Sequence, residues 1–338
     1  MAEIVDGRYQ LLKKLGSGAT GEVYKARDLR LKRSVAIKRV LAEKRGQRAV
    51  LERLHKEAEY LARVDHPNVV MVHDIIDSTE SFCIVMELVK GQPFVETFRK
   101  RPMPEAELIG YFRQMLAALE AVHEVGLIHR DVNPRNVMVT REGVVKLTDF
   151  GLSGFVNDVE HRMGGTLAYM APETMRRRGR LGFGVDIYSL GFLSYQAVLS
   201  LAGFKKLYGA KRPKDWIRWV LSSEPFATLH SLDAPVSEGF AAIIARMLEK
   251  DPARRYQKTS QVQSDLEALL ARPVDDGACG GSRGTSRPGG AWRGAIERAR
   301  ALIGGTRSTP VDSPAVPPAT AGAASTNGDA AAGAERED

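Results

Sequence analysis

The sequence predicts an α+β fold in two unequal parts, a small strand-rich one and a large helical one. Three observations carry this. The first ninety residues hold short β-type runs around a single helix, the pattern turns helical from Pro104, and the composition shifts abruptly after Ala271.

In chain order, Val35-Ala36-Ile37 and Phe82-Cys83-Ile84-Val85-Met86 are short runs of strand formers. Between them, Val50 to Val64 places Leu51, Leu54, Ala58 and Leu61 at helical spacing. His66-Pro67-Asn68 then ends the helix. Glu105 to Val125 repeats Leu108, Tyr111-Phe112, Met115, Leu119 and Val122, a core-facing stripe. Short strands are predicted over Val137–Val139 and Val144–Leu147, and helices over Val185–Leu199, Lys214–Leu221, Ser237–Leu248 and Thr259–Leu270. From residue 272 to Asp338, Gly, Ala, Pro, Ser and Thr dominate, which predicts a disordered tail. Within it, Trp292, Ile296, Ala299 and Ile303 recur at helical spacing, as a transient linker helix or as one that docks or touches a membrane. There are no internal repeats.

Composition narrows the function classes. Of 338 residues, 43% are hydrophobic, enough for a sizeable core. The net charge of +8 permits acidic partners, but Lys and Arg are scattered, with only short clusters such as Arg176–Arg177–Arg178 and Lys211–Arg212. No nucleic-acid partner is expected on that pattern. Cys83 and Cys279 form neither a disulfide framework nor a metal spacing, so a reducing compartment fits best. Met1 to Gln10 lacks the basic start and apolar run of a signal peptide, and no stretch of about 18 uncharged apolar residues occurs. A cytoplasmic protein without an integral membrane segment is expected.

Three motifs carry chemistry. Leu15-Gly16-Ser17-Gly18-Ala19-Thr20-Gly21-Glu22-Val23 is a glycine-rich loop able to fold its N–H groups over phosphates. Such a loop also opens dinucleotide-binding folds, where a helix follows directly. Here Glu22 to Ala26 has strand character, so the loop caps a hairpin. Val35-Ala36-Ile37-Lys38 ends in a lysine, which is ordinarily a surface residue snorkelling from a strand. Its place downstream of the hairpin is that of a phosphate-pairing lysine, which needs a carboxylate to hold it. Glu57 is the candidate and Glu59 the near rival; Glu57 is preferred because Leu61, one turn on, then faces the core. The third motif is His129-Arg130-Asp131-Val132-Asn133-Pro134-Arg135-Asn136, followed by Asp149-Phe150-Gly151. Together they supply Asp131 to orient and deprotonate a hydroxyl, and the hard oxygens of Asn136 and Asp149 to hold magnesium.

At this point the chain resembles the eukaryotic-like (Hanks-type) Ser/Thr protein kinases, and in particular their bacterial members. The motif set of that family occurs in order, ending at Ala171-Pro172-Glu173, and the likeness covers roughly residues 8–271. It implies a bilobal protein-kinase fold, with a small antiparallel β-sheet lobe plus one helix over 8–88 and a mainly α-helical lobe over 89–271. It implies ATP and Mg²⁺, with Mn²⁺ as an alternative, and transfer to Ser/Thr of protein substrates, the chain itself included. By the same resemblance Met86 is the gatekeeper before the hinge Glu87-Leu88-Val89, whose backbone binds adenine. Val23, Ala36 and Met138 sandwich the ring. Asp186 anchors the catalytic loop, Glu173 pairs with Arg255, and Leu61, Val72, His129 and Phe150 stack as an apolar spine.

The chain departs from the family pattern in places. Asn133 stands where Ser/Thr kinases usually carry a lysine that touches the γ-phosphate. A charged hydrogen bond contributes about 1.5–3 kcal/mol, so roughly tenfold to a hundredfold in rate is at stake. Arg135, four residues after Asp131, stands where receptor tyrosine kinases place an arginine that serves this purpose, and is expected to compensate. Gly165-Thr166-Leu167-Ala168-Tyr169-Met170 keeps the Ser/Thr pattern, with Thr166 shaping the site for a short hydroxyl side chain. Between Gly151 and Gly164 the only hydroxyl is Ser153. Arg130, which would grip a phosphate on that segment, is nevertheless present. Activity without loop phosphorylation is therefore expected, with Asp158 or Glu160 as the standing negative charge. Thr20 replaces an aromatic at the loop tip, with a minor effect. The rival readings are a nucleotide-binding pseudokinase scaffold, favoured by Asn133 and the bare segment, and a small-molecule kinase, disfavoured by the segment Thr166 to Glu173. Trp216 and Trp219 are expected to pack into the large lobe rather than form a docking surface. Oligomeric state is left open.

Overall fold

The computed structural model describes residues 3–18, 21–40, 48–77, 82–150, 154–155, 167–176, 181–209 and 211–271. The small lobe is built on an antiparallel sheet of β1 (Ile4–Val5), β2 (Tyr9–Ser17), β3 (Gly21–Asp28), β4 (Arg33–Val40), β5 (Val72–Asp77) and β6 (Phe82–Glu87), in the order β1-β2-β3-β4-β6-β5. One helix, α1 (Arg48–Leu61), interrupts the run. It begins two residues before the expected start and ends three residues before the expected stop. The strands alternate as half-buried strands must. Ala26, Val35, Ile37, Cys83 and Val85 bury one face against Val5, Tyr9 and Ile76.

The large lobe starts with β7 (Gly91–Pro93) and α2 (Val95–Phe98), then α3 (Glu105–Glu124), whose stripe of Leu108, Phe112, Met115, Leu119 and Val122 is buried as expected. β8 (Leu127–Ile128), β9 (Val137–Thr140) and β10 (Val145–Leu147) follow. β9 pairs with both β10 and β7, and β8 pairs with β11 (Gly154–Phe155). The helices α4 (Pro172–Arg176), α5 (Gly184–Leu199), α6 (Leu201–Tyr208), α7 (Pro213–Leu221), α8 (Glu238–Met247) and α9 (Thr259–Leu270) complete it. Ser237, expected inside α8, instead caps it, its hydroxyl accepting the Phe240 N–H at 3.2 Å.

α5 forms the centre. Every residue from Gly184 to Leu199 is buried, and the helix packs on α3, α6 and α8. Its serines have partners: Ser189 donates to the carbonyls of Val185 and Tyr169, and Ser194 to Leu190. Among the described residues no single helix is long and apolar enough to cross a membrane. α6 was not expected. It fills the stretch before Trp216 and Trp219, which are buried in an aromatic cluster with Phe192, Phe204, Tyr208 and Phe226. Lys250 closes that cluster, its ammonium 4.3 Å over the Trp219 ring and donating to the Trp219 carbonyl at 2.8 Å. Burial there pushes the Lys250 ammonium down to about 8.

Candidate active site

Strand register assembles one wall of the cleft. Val23 faces Lys38 across β3 and β4, and Ala36 faces Met86 across β4 and β6. Period two then sets Val23, Ala36, Lys38 and Met86 on one side of the sheet, opposite the side that carries the small-lobe core. Met138, on β9, pairs with Pro93 and Lys146 and is half-buried. Beyond Met86, Glu87 accepts Lys146 Nζ at 2.8 Å and donates its N–H to the Met71 carbonyl. The Val89 N–H and carbonyl have no hydrogen-bond partner among the described residues.

The glycine loop is a hairpin, as the strand character of Glu22 to Ala26 indicated. The Gly18 N–H donates to the Gly21 carbonyl at 2.8 Å, and Gly16 pairs with Val23. The glycines differ in purpose. A Cβ on Gly21 would lie 2.2 Å from the Arg39 carbonyl, so the sheet requires glycine there. A Cβ on Gly16 or Gly18 would meet nothing within 4 Å. The fold has no use for glycine at those two positions. Leu15 and Ser17 lie on the exposed part of β2, beside the loop. Ala19 and Thr20 lie outside the described residues.

Lys38 is buried on β4, and its ammonium is ion-paired with Asp149. The pairing expected with Glu57 is not the one Lys38 makes in this structure. Glu57 is buried to 4% exposure on α1, yet the hydrogen bond of Lys38 goes to Asp149. Asp149 adopts a left-handed backbone, φ 61°. Non-glycine residues rarely do so without over-determining neighbours.

Those neighbours can be named. Thr148 donates both its N–H (2.8 Å) and its hydroxyl (2.9 Å) to the Asn136 carbonyl, and its own carbonyl contacts His129 Nε2 at 3.0 Å. The segments carrying Asn136 and Asp149 are thereby tied together. The His129 ring contacts Phe150, centroids 4.5 Å apart, and Leu61 and Val72 belong to the same core.

The Asp131 loop is held from inside. Asp131 Oδ1 accepts from Asn133 Nδ2 at 2.9 Å, and Oδ2 from Asn136 Nδ2 at 2.8 Å. Asn133 is only 2% exposed. Its side-chain oxygen accepts the N–H groups of Arg135 (2.9 Å) and Asn136 (3.2 Å), and its amide also reaches the Asp131 carbonyl. All these bonds lie within the loop. Through them the asparagine positions Asp131. Arg135 is exposed, and its guanidinium has no ion-pair partner among the described residues. It lies near enough to Tyr169 for its charge to oppose the rise that burial causes in that phenol.

From below, Asp186 anchors the loop. Its carboxylate is fully buried and accepts the N–H groups of His129 and Arg130, each at 2.8 Å, and His123 Nε2 at 2.8 Å. Burial alone would push this carboxyl up, but the hydrogen bond from His123, the His123 and His129 charges and the His129 N–H bring it below its ordinary value. Arg130, at φ 64°, is the second left-handed residue of the site. Its guanidinium donates to the Phe155 carbonyl and lies over Gly154.

Comparison with known proteins agrees with this geometry. The protein kinase domain model matches residues 9–266. The chain belongs to the protein kinase family. It is 31% identical over 278 residues to the probable serine/threonine-protein kinase CPE1738 of Clostridium perfringens, covering 81% of this chain and 40% of that one. It is 33% identical to the serine/threonine-protein kinase PknL of Mycobacterium bovis, over 79% of this chain and 66% of the relative. It is 28% identical to PrkC of Bacillus subtilis, over 79% of this chain and 41% of the relative. The chain thus spans less than half the length of the Clostridium and Bacillus kinases. These likenesses place it in the Hanks-type Ser/Thr kinase family, with the bilobal α+β kinase fold.

Kinases of this family use ATP and a divalent metal, and the donor chemistry here suits one. Among the described residues no group of three or more His, Cys, Asp or Glu could hold a metal. Asn136, however, commits its amide N–H groups to Asp131, which leaves its oxygen beside the segment that carries the Asp149 carboxylate. Two hard oxygens are what Mg²⁺ takes from a protein when phosphates and waters supply the rest.

The Glu173–Arg255 pair forms as expected and is bidentate, at 2.6 and 3.1 Å, with Arg255 also donating to the carbonyls of Gly184 and Glu249. Gly151, Ser153, Asp158, Glu160 and Thr166 lie outside the described residues, as does everything after Ala271, including Cys279 and the segment 292–303. The sequence reading missed His123 and Thr148. A polar His123 on the buried stripe of α3 was the available signal. Thr148 gave none, because its role is to join two segments.

Proposed function

We propose that this kinase transfers the γ-phosphate of ATP to Ser or Thr hydroxyls of proteins, its own among them. The observation that carries this reading is Asp131, whose two carboxylate oxygens are each fixed by an amide of its own loop. Its backbone neighbours are anchored by the buried Asp186. Such rigidity suits a reaction whose catalysis is mostly positioning and charge neutralisation. The printed names of the relatives, serine/threonine kinases, support the same reading.

In this reading the adenine lies between Val23, Ala36 and Met138, past Met86, with the backbone of Glu87 and Val89 as its partners. Leu15, Gly16, Ser17, Gly18, Ala19, Thr20 and Gly21 cover the phosphates. Lys38 holds the α- and β-phosphates, and Glu57 supports it from α1. Asn136 and Asp149 would hold Mg²⁺ or Mn²⁺, which would supply charge neutralisation for the phosphates. Asp131 accepts a hydrogen bond from the incoming hydroxyl and orients its oxygen. The oxygen–phosphorus bond forms as the bond from the γ-phosphorus to the β–γ bridging oxygen breaks. ADP leaves, and the hydroxyl proton passes to Asp131. Arg135 offsets the developing charge in place of a lysine, and Thr166 shapes the site for short hydroxyl side chains. We assign the kinase unit to residues 8–271 and residues 272–338 to a tail. The buried Cys83 thiol suits a reducing compartment such as the cytoplasm.

One observation favours a second reading, a pseudokinase scaffold: Asn133 is spent inside its loop and brings no cation to the phosphates. One experiment separates the two. Transfer from labelled ATP with Mg²⁺, to the chain itself and to a generic basic protein, is measured for wild type and Asp131→Asn. Signal that vanishes in the variant supports the kinase. No signal in either, with ATP still bound, supports the scaffold.

A further inference from the structure

The segment just downstream of Asp149-Phe150 is clasped on two sides. Its backbone belongs to β11, where Phe155 pairs with Leu127 and Gly154 with Ile128, directly before the His129 loop. The Phe155 carbonyl accepts Arg130 Nη2 at 3.4 Å. A Cβ on Gly154 would stand 2.4 Å from the guanidinium carbon of Arg130, so the arginine packs closely against this glycine. That is the loop side of the clasp.

The other side is α1. The Phe155 ring meets Tyr60 edge-on, centroids 4.8 Å apart at 80°, and Lys56 Nζ stands 4.8 Å over the Phe155 ring. Edge-to-face aromatic and cation–π contacts are both attractive in this geometry. Lys56 and Tyr60 are four residues apart and so share one face of the helix. Glu57 lies between them in the sequence, on the turn they hold.

We propose that Phe155 is a positioning residue whose ring, held by Lys56 and Tyr60, fixes the orientation of α1 relative to the catalytic loop. The proposal rests on the kinase reading above and adds a device that holds the turn of α1 carrying Glu57. Phe155 is anchored through its backbone to β8 and through its ring to α1. A shift of either element is therefore felt by the other, with no phosphate needed to join them.

The test uses the full chain and two readouts. Phosphate transfer and amide hydrogen exchange are measured for wild type, Phe155→Ala, Tyr60→Ala, the double variant, Phe155→Tyr and Lys56→Gln. Phe155→Ala and Tyr60→Ala should each lower kcat about tenfold, equal to about 1.4 kcal/mol, with KM for ATP little changed. The double variant should be no worse than the poorer single one, since the two residues act through one contact. Phe155→Tyr should restore most of the rate. Lys56→Gln, at an exposed position that does not threaten folding, should cost about threefold. Exchange should quicken across α1 and stay unchanged in α5. Multiplying losses in the double variant, or exchange in α1 that stays at the wild-type rate, would overturn the proposal. If wild type transfers no phosphate, the kinase reading fails, but the exchange comparison still decides whether Phe155 holds α1.

Discussion

The side-chain oxygen of Asn133 accepts the main-chain N–H of Arg135 at 2.9 Å, so the residue that replaces the usual lysine shapes the backbone of the residue expected to compensate for it. The two substitutions should therefore differ in kind. Arg135→Ala removes an exposed cation and should lower turnover roughly tenfold to a hundredfold while leaving the melting temperature unchanged. Asn133→Ala leaves the Arg135 N–H without its acceptor and removes one of the two amides that hold the Asp131 carboxylate. It should lower both turnover and stability, the latter by about 1–3 kcal/mol. Peptide phosphorylation and thermal unfolding on the same samples check this. Unchanged turnover in Arg135→Ala would end the compensation argument.

The glycines of the loop divide into two groups. Gly16→Ala and Gly18→Ala introduce no clash within the protein. They should leave thermal stability at the wild-type value and raise KM for ATP several-fold, because the added methyl obstructs backbone approach to phosphates. Gly21→Ala drives a Cβ into the Arg39 carbonyl. It should lower the melting temperature itself. A Gly16→Ala variant with wild-type nucleotide affinity would remove that loop from the phosphate site.

The ion pair between Glu173 and Arg255 sits where an unpartnered charge is expensive, with the arginine side chain fully buried. Arg255→Met or Glu173→Gln should each destabilise the large lobe by about 3–5 kcal/mol, and the double replacement by much less than the sum. Urea denaturation measures both. Additive losses would mean the partners act separately.

Asp186 makes stability depend on pH in a definite direction. Its carboxyl is lowered in the folded protein, against about 3.9 for an unperturbed aspartate. A depressed acid contributes stability that is fully present above the unfolded value and is lost as pH falls through the folded one. The stability gap between wild type and Asp186→Asn should thus hold constant from about pH 7 to pH 5 and close only below about pH 4. A gap that already narrows between pH 7 and 5 would place the dependence on another group.

Much of this architecture is legible in local pattern. The run Val35 to Lys38 alternates correctly, and its register puts Lys38 on the same face as Ala36. The stripe from Leu108 to Val122 marks α3 because a helix buried on one side needs apolar residues at that spacing. The glycine-rich hairpin followed by a strand rather than a helix excludes a dinucleotide turn. What local pattern does not carry is partner choice over distance. Lys38 and Asp149 are 111 residues apart, and nothing in either neighbourhood prefers that pair to Lys38 with Glu57. The use of Asn133 was hidden for a different reason. An asparagine in a loop can face inward or outward, and only the backbone around Asp131 decides which. α6 escaped notice because its short apolar face packs against α5, a helix buried on every side that offers no contrast to read.

That all-round burial of α5 has a consequence during synthesis. The helix ends at Leu199, whereas α8 and α9, which help enclose the large lobe, are not complete until Leu270. At ribosomal speeds of about 5–20 residues per second, the nascent chain presents an oily rod without its full cover for on the order of ten seconds. A transcript broken in that interval would release a fragment with this helix and without the elements that bury it. The half-made protein is therefore a client for chaperones, and the last helices decide whether the whole large lobe survives.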